Sequence, residues 1–261
     1  MYIIKRLCLF IMEAYKELFM QAVILAAGQG QRIRSHHTKP KGFIEINDYT
    51  LIDYSLEILR SYGITDIVIV TGYKKECYEK LAEETGWFDT VYNPEFATYG
   101  NLYSFYIARN LVRDDILLVE SDIIFEPRAI GALLQSPNEN AVLMSGPTQS
   151  NDEVYVEVEN EYLVSMRKIK EELNVSKIGG EFTGLTRLSQ QACQHLFELC
   201  EQDEAMLQQG YYDEAGLVKL AETVPIYGQL VEDLVWSEID DVNQLERARL
   251  LFPKSPIAIG A

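Results

Sequence analysis

Gln21-Ala22-Val23-Ile24-Leu25-Ala26-Ala27-Gly28-Gln29-Gly30-Gln31-Arg32 is a short apolar run that breaks into a glycine-spaced loop. Gln21 to Ala26 reads as a buried strand. Gly28 and Gly30 come directly after it, and without Cβ atoms the backbone there can approach a ligand and turn its N–H groups toward phosphate oxygens. The spacing excludes two common loops. A dinucleotide fingerprint G-x-G-x-x-G fails because Ile33 stands where its third glycine belongs, and a P-loop fails because no G-K-[ST] comes after the glycines. The loop turns basic instead. Residues 32–41 contain Arg32, Arg34, Lys39 and Lys41, with His36 and His37, and no acid. Against 23 Lys and Arg the whole chain has 40 Asp and Glu, a net charge of −17, so this island suits a polyphosphate. The two histidines read as solvated loop residues.

The alternation of strand and helix continues on the C-terminal side. Residues 43–46 look like a short strand and 51–61 a helix ending at Gly63. Residues 66–71 (DIVIVT) and 116–119 (ILLV) read as buried strands, as does 141–145, with helices predicted over 74–84, 101–110 and 127–134. This order predicts an α/β domain with a mostly parallel central sheet. The second half changes character. Residues 153–158 alternate with period two, turn at Glu159-Asn160 and resume over 162–169, a hairpin solvated on one face. Residues 182–188 form a further strand candidate, 230–236 an extended one, and 190–201, 213–221 and 241–251 helices. No internal repeat or Gly/Pro/Ser-rich linker interrupts the chain. It divides into an N-terminal helical extension (1–20), one continuous domain (21–252) with a small antiparallel addition, and a C-terminal tail (253–261).

Length and composition narrow the class. With 261 residues, 48% hydrophobic and 11% aromatic, the chain is neither disordered nor collagenous, and it needs no staples. So acidic a surface argues against general nucleic-acid binding. Cys8, Cys77, Cys193 and Cys200 form no C-x-x-C pair, which fits free thiols in a reducing cytoplasm; Cys193 and Cys200 can share a helix face. Lys5 and Arg6 before Leu7 to Met12 imitate a signal peptide faintly, but Glu13 ends the run and no cleavage site comes after it. An amphipathic helix fits better, packed on the body or on a second copy of the chain, which admits a homodimer. No stretch is apolar enough for a membrane span.

Leu25-Ala26-Ala27-Gly28-x-Gly30-x-Arg32 with Lys39-Pro40-Lys41 after it resembles the signature of nucleotidyltransferases acting on phosphorylated small molecules, the sugar-1-phosphate and phosphocholine group. Several segments further along fit the same order: Asp66 to Tyr73, Asn93-Pro94 with Gly100-Asn101-Leu102-Tyr103-Ser104, Glu120-Ser121-Asp122 at a strand end, and Trp236-Ser237-Glu238-Ile239-Asp240-Asp241 before a last helix. The resemblance covers residues 21–252 and implies a Rossmann-like sheet of the nucleotide-diphospho-sugar transferase type. It also implies attack of a phosphate or phosphonate oxygen on the α-phosphorus of a nucleoside triphosphate, with pyrophosphate leaving. In that scheme Arg32 grips the triphosphate, and Lys41 neutralises charge between acceptor and α-phosphate. Leu25, Ala26, Ala27, Gly28, Gly30, Asn101 and Ser104 bind nucleotide, and Asp122 and Asp240 hold Mg²⁺. Two alternatives stay open: Asp122 caps the next element, or Asp240 caps the last helix and Asp241 holds the metal.

For the acceptor, Tyr211, Tyr212, Glu214, Trp236 and Glu238 combine aromatic faces with carboxylates, which suits a cationic head. The E-x-D and W-x-E-I-D motifs look most like those of choline-phosphate and 2-aminoethylphosphonate cytidylyltransferases, which implies CTP as donor. The competing readings are a sugar-1-phosphate nucleotidylyltransferase and a non-catalytic nucleotide-binding regulatory subunit. The failed glycine spacing leaves a dehydrogenase far behind.

Overall fold

The computed structural model describes residues 20–34, 37–150, 152–208 and 212–252. The first strand, β1 (Gln21–Ala26), is buried along its whole length, as a strand covered on both faces must be. Its side chains alternate between two apolar clusters. Ala22, Ile24 and Ala26 enter one, and Val23 and Leu25 enter the other.

A small hairpin of β2 (Glu45–Ile46) and β3 (Tyr49–Thr50) precedes α1 (Leu51–Ser61). Thr50 caps that helix by accepting from the Asp53 N–H. Leu51, Ile52, Leu56, Ile58 and Leu59 then face the first cluster. Next come β4 (Asp66–Thr71), α2 (Glu76–Thr85), β5 (Asp89–Tyr92), α3 (Asn101–Ile107) and β6 (Ile116–Glu120). These strands lie parallel in the order β5-β4-β1-β6, as the alternating pattern predicts.

The remaining elements are β7 (Ile123–Phe125), α4 (Arg128–Leu134), β8 (Ala141–Ser145), the hairpin β9 (Tyr155–Glu159) and β10 (Tyr162–Arg167), β11 (Ile178–Leu188), α5 (Gln190–Gln202), α6 (Asp213–Ala221), β12 (Tyr227–Val231), β13 (Trp236–Glu238) and α7 (Val242–Leu251). Here the expected sheet needs correction. All of the larger strands form one mixed, nine-stranded sheet. β11 runs antiparallel to both β6 and β8, so the antiparallel part is built into the sheet's centre. β9 also pairs with the first half of β11, so β8, β12, β10, β9 and β11 close on themselves. The period-two pattern identifies the hairpin, but the strand on which it closes is distant in sequence.

Two local expectations also change. Of residues 43–46 only Glu45–Ile46 is strand (β2), and Phe43 closes a 3₁₀ turn, Lys41–Phe43. Residues 230–236 do not run on as one extended segment. The Leu234 N–H turns back to the Val231 carbonyl at 3.1 Å, and the chain leaves the large sheet to pair β13 with β7. Met20 is buried, while the rest of the expected extension, Cys8 and the tail lie outside the described residues. Among the described residues no helix is long and apolar enough to cross a membrane.

The last helix settles which aspartate caps it. The Asp241 carboxylate accepts from the Gln244 N–H at 2.9 Å, and the Gln244 side chain accepts from the Asp241 N–H at 3.2 Å, a complete capping box. Asp241→Ala should therefore cost about 1 kcal/mol. Calorimetry should show the melting temperature falling by roughly 2–4 °C.

Candidate active site

Parallel strands open a crevice at their carboxyl ends, and the chain places its loops there. β1 ends in the glycine loop and β6 ends in Glu120-Ser121-Asp122, with the Ser121 N–H bonded to the Leu25 carbonyl at 3.2 Å. The β7–β13 ladder brings the C-terminal motif alongside, and the Ile239 N–H donates to the Asp122 carbonyl at 2.8 Å. The result is a cleft of about 500 Å³. Gly30 sits at φ +58°, and a Cβ there would meet the Lys41 side chain at 2.9 Å, so the second glycine lets the lysine cross the loop. A Cβ on Gly28 would meet nothing within 4 Å, which leaves open space above the backbone.

Lys41 is the electrostatic centre. Its ammonium donates to Asp122 Oδ2 at 2.7 Å and to Asp240 Oδ1. Burial works against its charge, but Asp122 and Asp240 outweigh burial and raise its pKa. Asp240, only 6% exposed at its side chain, also receives Arg32. Burial alone would raise the Asp240 pKa; Lys41, a hydrogen bond from Glu238 and Arg32 bring it below the usual range. Burial, and then the charges of Asp122 and Asp240, push Glu238 the other way, up to about 9. Glu238 is thus a protonated donor to Asp240. Carboxylate oxygens of Asp122, Glu238 and Asp240 lie within 4.8 Å of one another, a hard-oxygen set suited to a divalent cation.

A second acidic group occupies the same cleft. Glu120, Asp213 and Glu214 bring carboxylate oxygens within 4.8 Å of one another. Asn101 orients Asp213, donating to Oδ1 at 2.6 Å and accepting from its N–H at 2.8 Å. Burial, then the charge of Asp213, pushes Glu120 well up; burial, then Glu214, does the same to Asp213. Glu214 Oε2 is buried with no hydrogen-bond partner. Among the described residues no Lys or Arg forms an ion pair with this group.

Of the residues singled out from sequence, Leu25, Ala26, Ala27, Gly28, Gly30, Arg32, Lys41, Asn101, Ser104, Asp122, Tyr212, Glu214, Trp236, Glu238 and Asp240 line this one cleft, whereas Arg34, Lys39 and Asp241 do not. Tyr211 and His36 lie outside the described residues. His37 bonds the Pro40 carbonyl at 3.2 Å and does not line the cleft. Glu238, expected at the acceptor, groups with Asp122 and Asp240; Glu120, expected in the metal motif, groups with Glu214. Asn101, expected at the nucleotide, spends its amide on Asp213.

Sequence reasoning missed Asp152 and Lys168. Asp152 bridges Arg32 at 2.8 Å and Lys168 at 2.6 Å, and all three face the cleft. Lys168 sits just beyond β10, where a solvated hairpin hides it. Asp152 has no local motif. Its loop is pinned through Thr148, whose N–H and hydroxyl both bond Glu181 (2.8 and 2.6 Å) and whose carbonyl accepts from Arg247 at 2.6 Å.

A family model described as the MobA-like NTP transferase domain matches residues 22–178, the span holding the glycine loop, Lys41 and Asp122. The chain belongs to this family. It is an NTP transferase domain that resembles a choline-phosphate cytidylyltransferase of Streptococcus pneumoniae, 36% identical over 108 residues that cover 41% of this chain and 47% of the relative. It resembles a CMP-5'-(3-aminopropyl)phosphonate synthase of Streptomyces rubellomurinus at 28% identity over 243 residues, 89% of this chain and 39% of the relative. The chain thus spans less than half the length of these curated relatives. The solved inositol-1-phosphate CTP transferase of T. maritima superposes with a TM-score of 0.78 at 20% identity, covering 94% of this chain and 99% of that one, and shows the NTP transferase fold to be shared.

Glu238 makes the charge balance of this domain testable. Between the ordinary carboxylate range and about 9, the folded chain holds a proton on Glu238 that the unfolded chain has lost. Stability therefore falls as pH rises through that window. In chelator-treated protein Glu238→Gln should flatten this loss. Thermal melts from about pH 5 to about pH 9 check it, and equal slopes in variant and wild type would contradict the assignment.

Proposed function

We propose that the protein is a divalent-metal-dependent cytidylyltransferase that moves CMP from CTP to a small phosphate or phosphonate with a cationic head. The acceptor oxygen forms a bond to the α-phosphorus, the bond to the bridging oxygen of the β-phosphate breaks, and pyrophosphate leaves. One observation carries this reading. A single cleft holds cations able to grip phosphates at Arg32, Lys41 and Lys168, and a second group of carboxylates at Glu120, Asp213 and Glu214 that forms no ion pair with a Lys or Arg among the described residues. Burial and neighbouring carboxylates push Glu120 and Asp213 up, and an ammonium beside them would offset that cost. The relatives point the same way, since one is named for choline phosphate and the other for an aminopropylphosphonate.

The chain's own residues divide the work. Backbone at Gly28 and Gly30 borders the triphosphate, and the planar fork of Arg32 neutralises the departing pyrophosphate. Asp122 and Asp240 hold the metal, with Glu238 beside them. Lys41 satisfies Asp122 and Asp240 as a cation, and its ammonium would be free for the phosphates if those carboxylates held a metal. When bound, Mg²⁺ supplies charge neutralisation and makes the α-phosphorus more electrophilic. Such a transfer depends on in-line positioning more than on covalent help.

Pyrophosphate release should be measured with CTP, UTP and dTTP against phosphocholine, 2-aminoethylphosphonate and glucose-1-phosphate. Turnover with the sugar phosphate alone would replace this reading by the sugar enzyme. Nucleotide binding without release in every pairing would favour a regulatory subunit. Lys41→Ala should lower kcat by about 10²–10³-fold; without metal its melting temperature should also fall, because Asp122 and Asp240 lose their buried cation. Glu214→Gln should raise KM for the cationic acceptor by about tenfold, the scale of one hydrogen bond to a charge, while KM for CTP stays put.

A further inference from the structure

Tyr78, on α2, has no part in the transfer chemistry so far assigned, yet its environment is unusual. The ring is wholly buried and stacks edge-on against Phe43 at 4.9 Å. Its oxygen faces the Gly42 N–H and the Ser121 side chain without closing a well-formed hydrogen bond to either, and it borders the same cleft as Lys41 and Asp122. A Cβ on Gly42 would come within 2.6 Å of that oxygen, so the hydroxyl rests against the backbone next to Lys41, and only glycine fits there. Both the Gly42 N–H and Ser121 approach as donors to the oxygen, so it is the hydroxyl's own proton that lacks an acceptor here.

Asp122 is the charged group that acts most strongly on this phenol, and burial with that charge keeps the phenol protonated, hence a donor. In the structure Asp122 Oδ2 takes its hydrogen bond from Lys41 at 2.7 Å. Carboxylates that ligate metals are themselves held by donors behind them, which fix their orientation. Once Lys41 turns to phosphate, Asp122 needs another donor. We propose that the Tyr78 hydroxyl is that donor: a positioning residue that holds Asp122 for the metal after Lys41 has left it. The inference rests on the reading of Asp122 as a metal ligand.

The test is Mn²⁺ binding to the full chain, tracked by the paramagnetic signal of free Mn²⁺, for wild type, Tyr78→Phe and Asp122→Asn, alongside thermal melts. Tyr78→Phe should bind Mn²⁺ about tenfold more weakly, with a melting temperature equal to or above wild type, and kcat should fall more than KM for CTP changes. Wild-type affinity in Tyr78→Phe, whether or not its melting temperature drops, would make the hydroxyl merely structural and overturn the inference alone. If wild type and Asp122→Asn bind Mn²⁺ equally, the metal assignment falls and this inference falls with it.

Discussion

An ammonium enclosed by carboxylates holds the centre of this molecule together. Lys41 comes from the loop after β1, Asp122 from the end of β6 and Asp240 from the turn into α7, so three distant parts of the chain meet on one nitrogen. Buried like charges repel strongly, and Asp122, Glu238 and Asp240 could not sit so close without a cation or a shared proton. Lys41 supplies the first and Glu238 carries the second. The fold serves this meeting. The β7–β13 ladder delivers Asp240, and a positive-φ glycine lets the lysine side chain cross to it.

The same principle divides the cleft into two chemically different ends. One acidic group is matched by Lys41 and Arg32; the other, Glu120 with Asp213 and Glu214, has no basic ion-pair partner among the described residues. A protein tolerates a cluster of the second kind only by keeping protons on it or by taking a cation from a ligand. Under the proposed function, phosphate near the first group and ammonium near the second would match the opposed charges of a zwitterionic acceptor. Trp236 also lines the cleft, its indole N–H fixed by Ser145 at 2.8 Å.

Much of this was legible in the sequence because it is local. The apolar runs gave the parallel strands, and the glycine loop with its basic continuation gave Arg32 and Lys41. Short motifs gave Asp122 and Asp240. Asp241 was ambiguous, since adjacent aspartates before a helix look alike until the capping box separates them. What stayed hidden depends on distant pairing. β11 shows only as residues 182–188 in sequence, yet it extends from Ile178 and faces β6, β8 and β9. Asp152, Lys168 and Tyr78 belong to a loop, a hairpin end and a helix interior, and none carries a pattern of its own. Glu120 and Glu238 sit beside the right motifs, but which acidic group each joins depends on strand register, which no motif records.

The closed circuit of β8, β12, β10, β9 and β11 also governs how this molecule can meet others. Among the described residues β4, β1, β6, β11 and β8 have a partner strand on both sides, β10 and β12 meet only at Tyr162 and Tyr227, and the outer side of β5 carries a bare row of backbone donors and acceptors. That row is short, Asp89–Tyr92, and begins with an exposed aspartate. Brief, charged borders of this kind discourage strand-to-strand growth. The parallel half of the sheet therefore offers little backbone for strand-to-strand association, and contacts made through it would have to use side-chain surfaces.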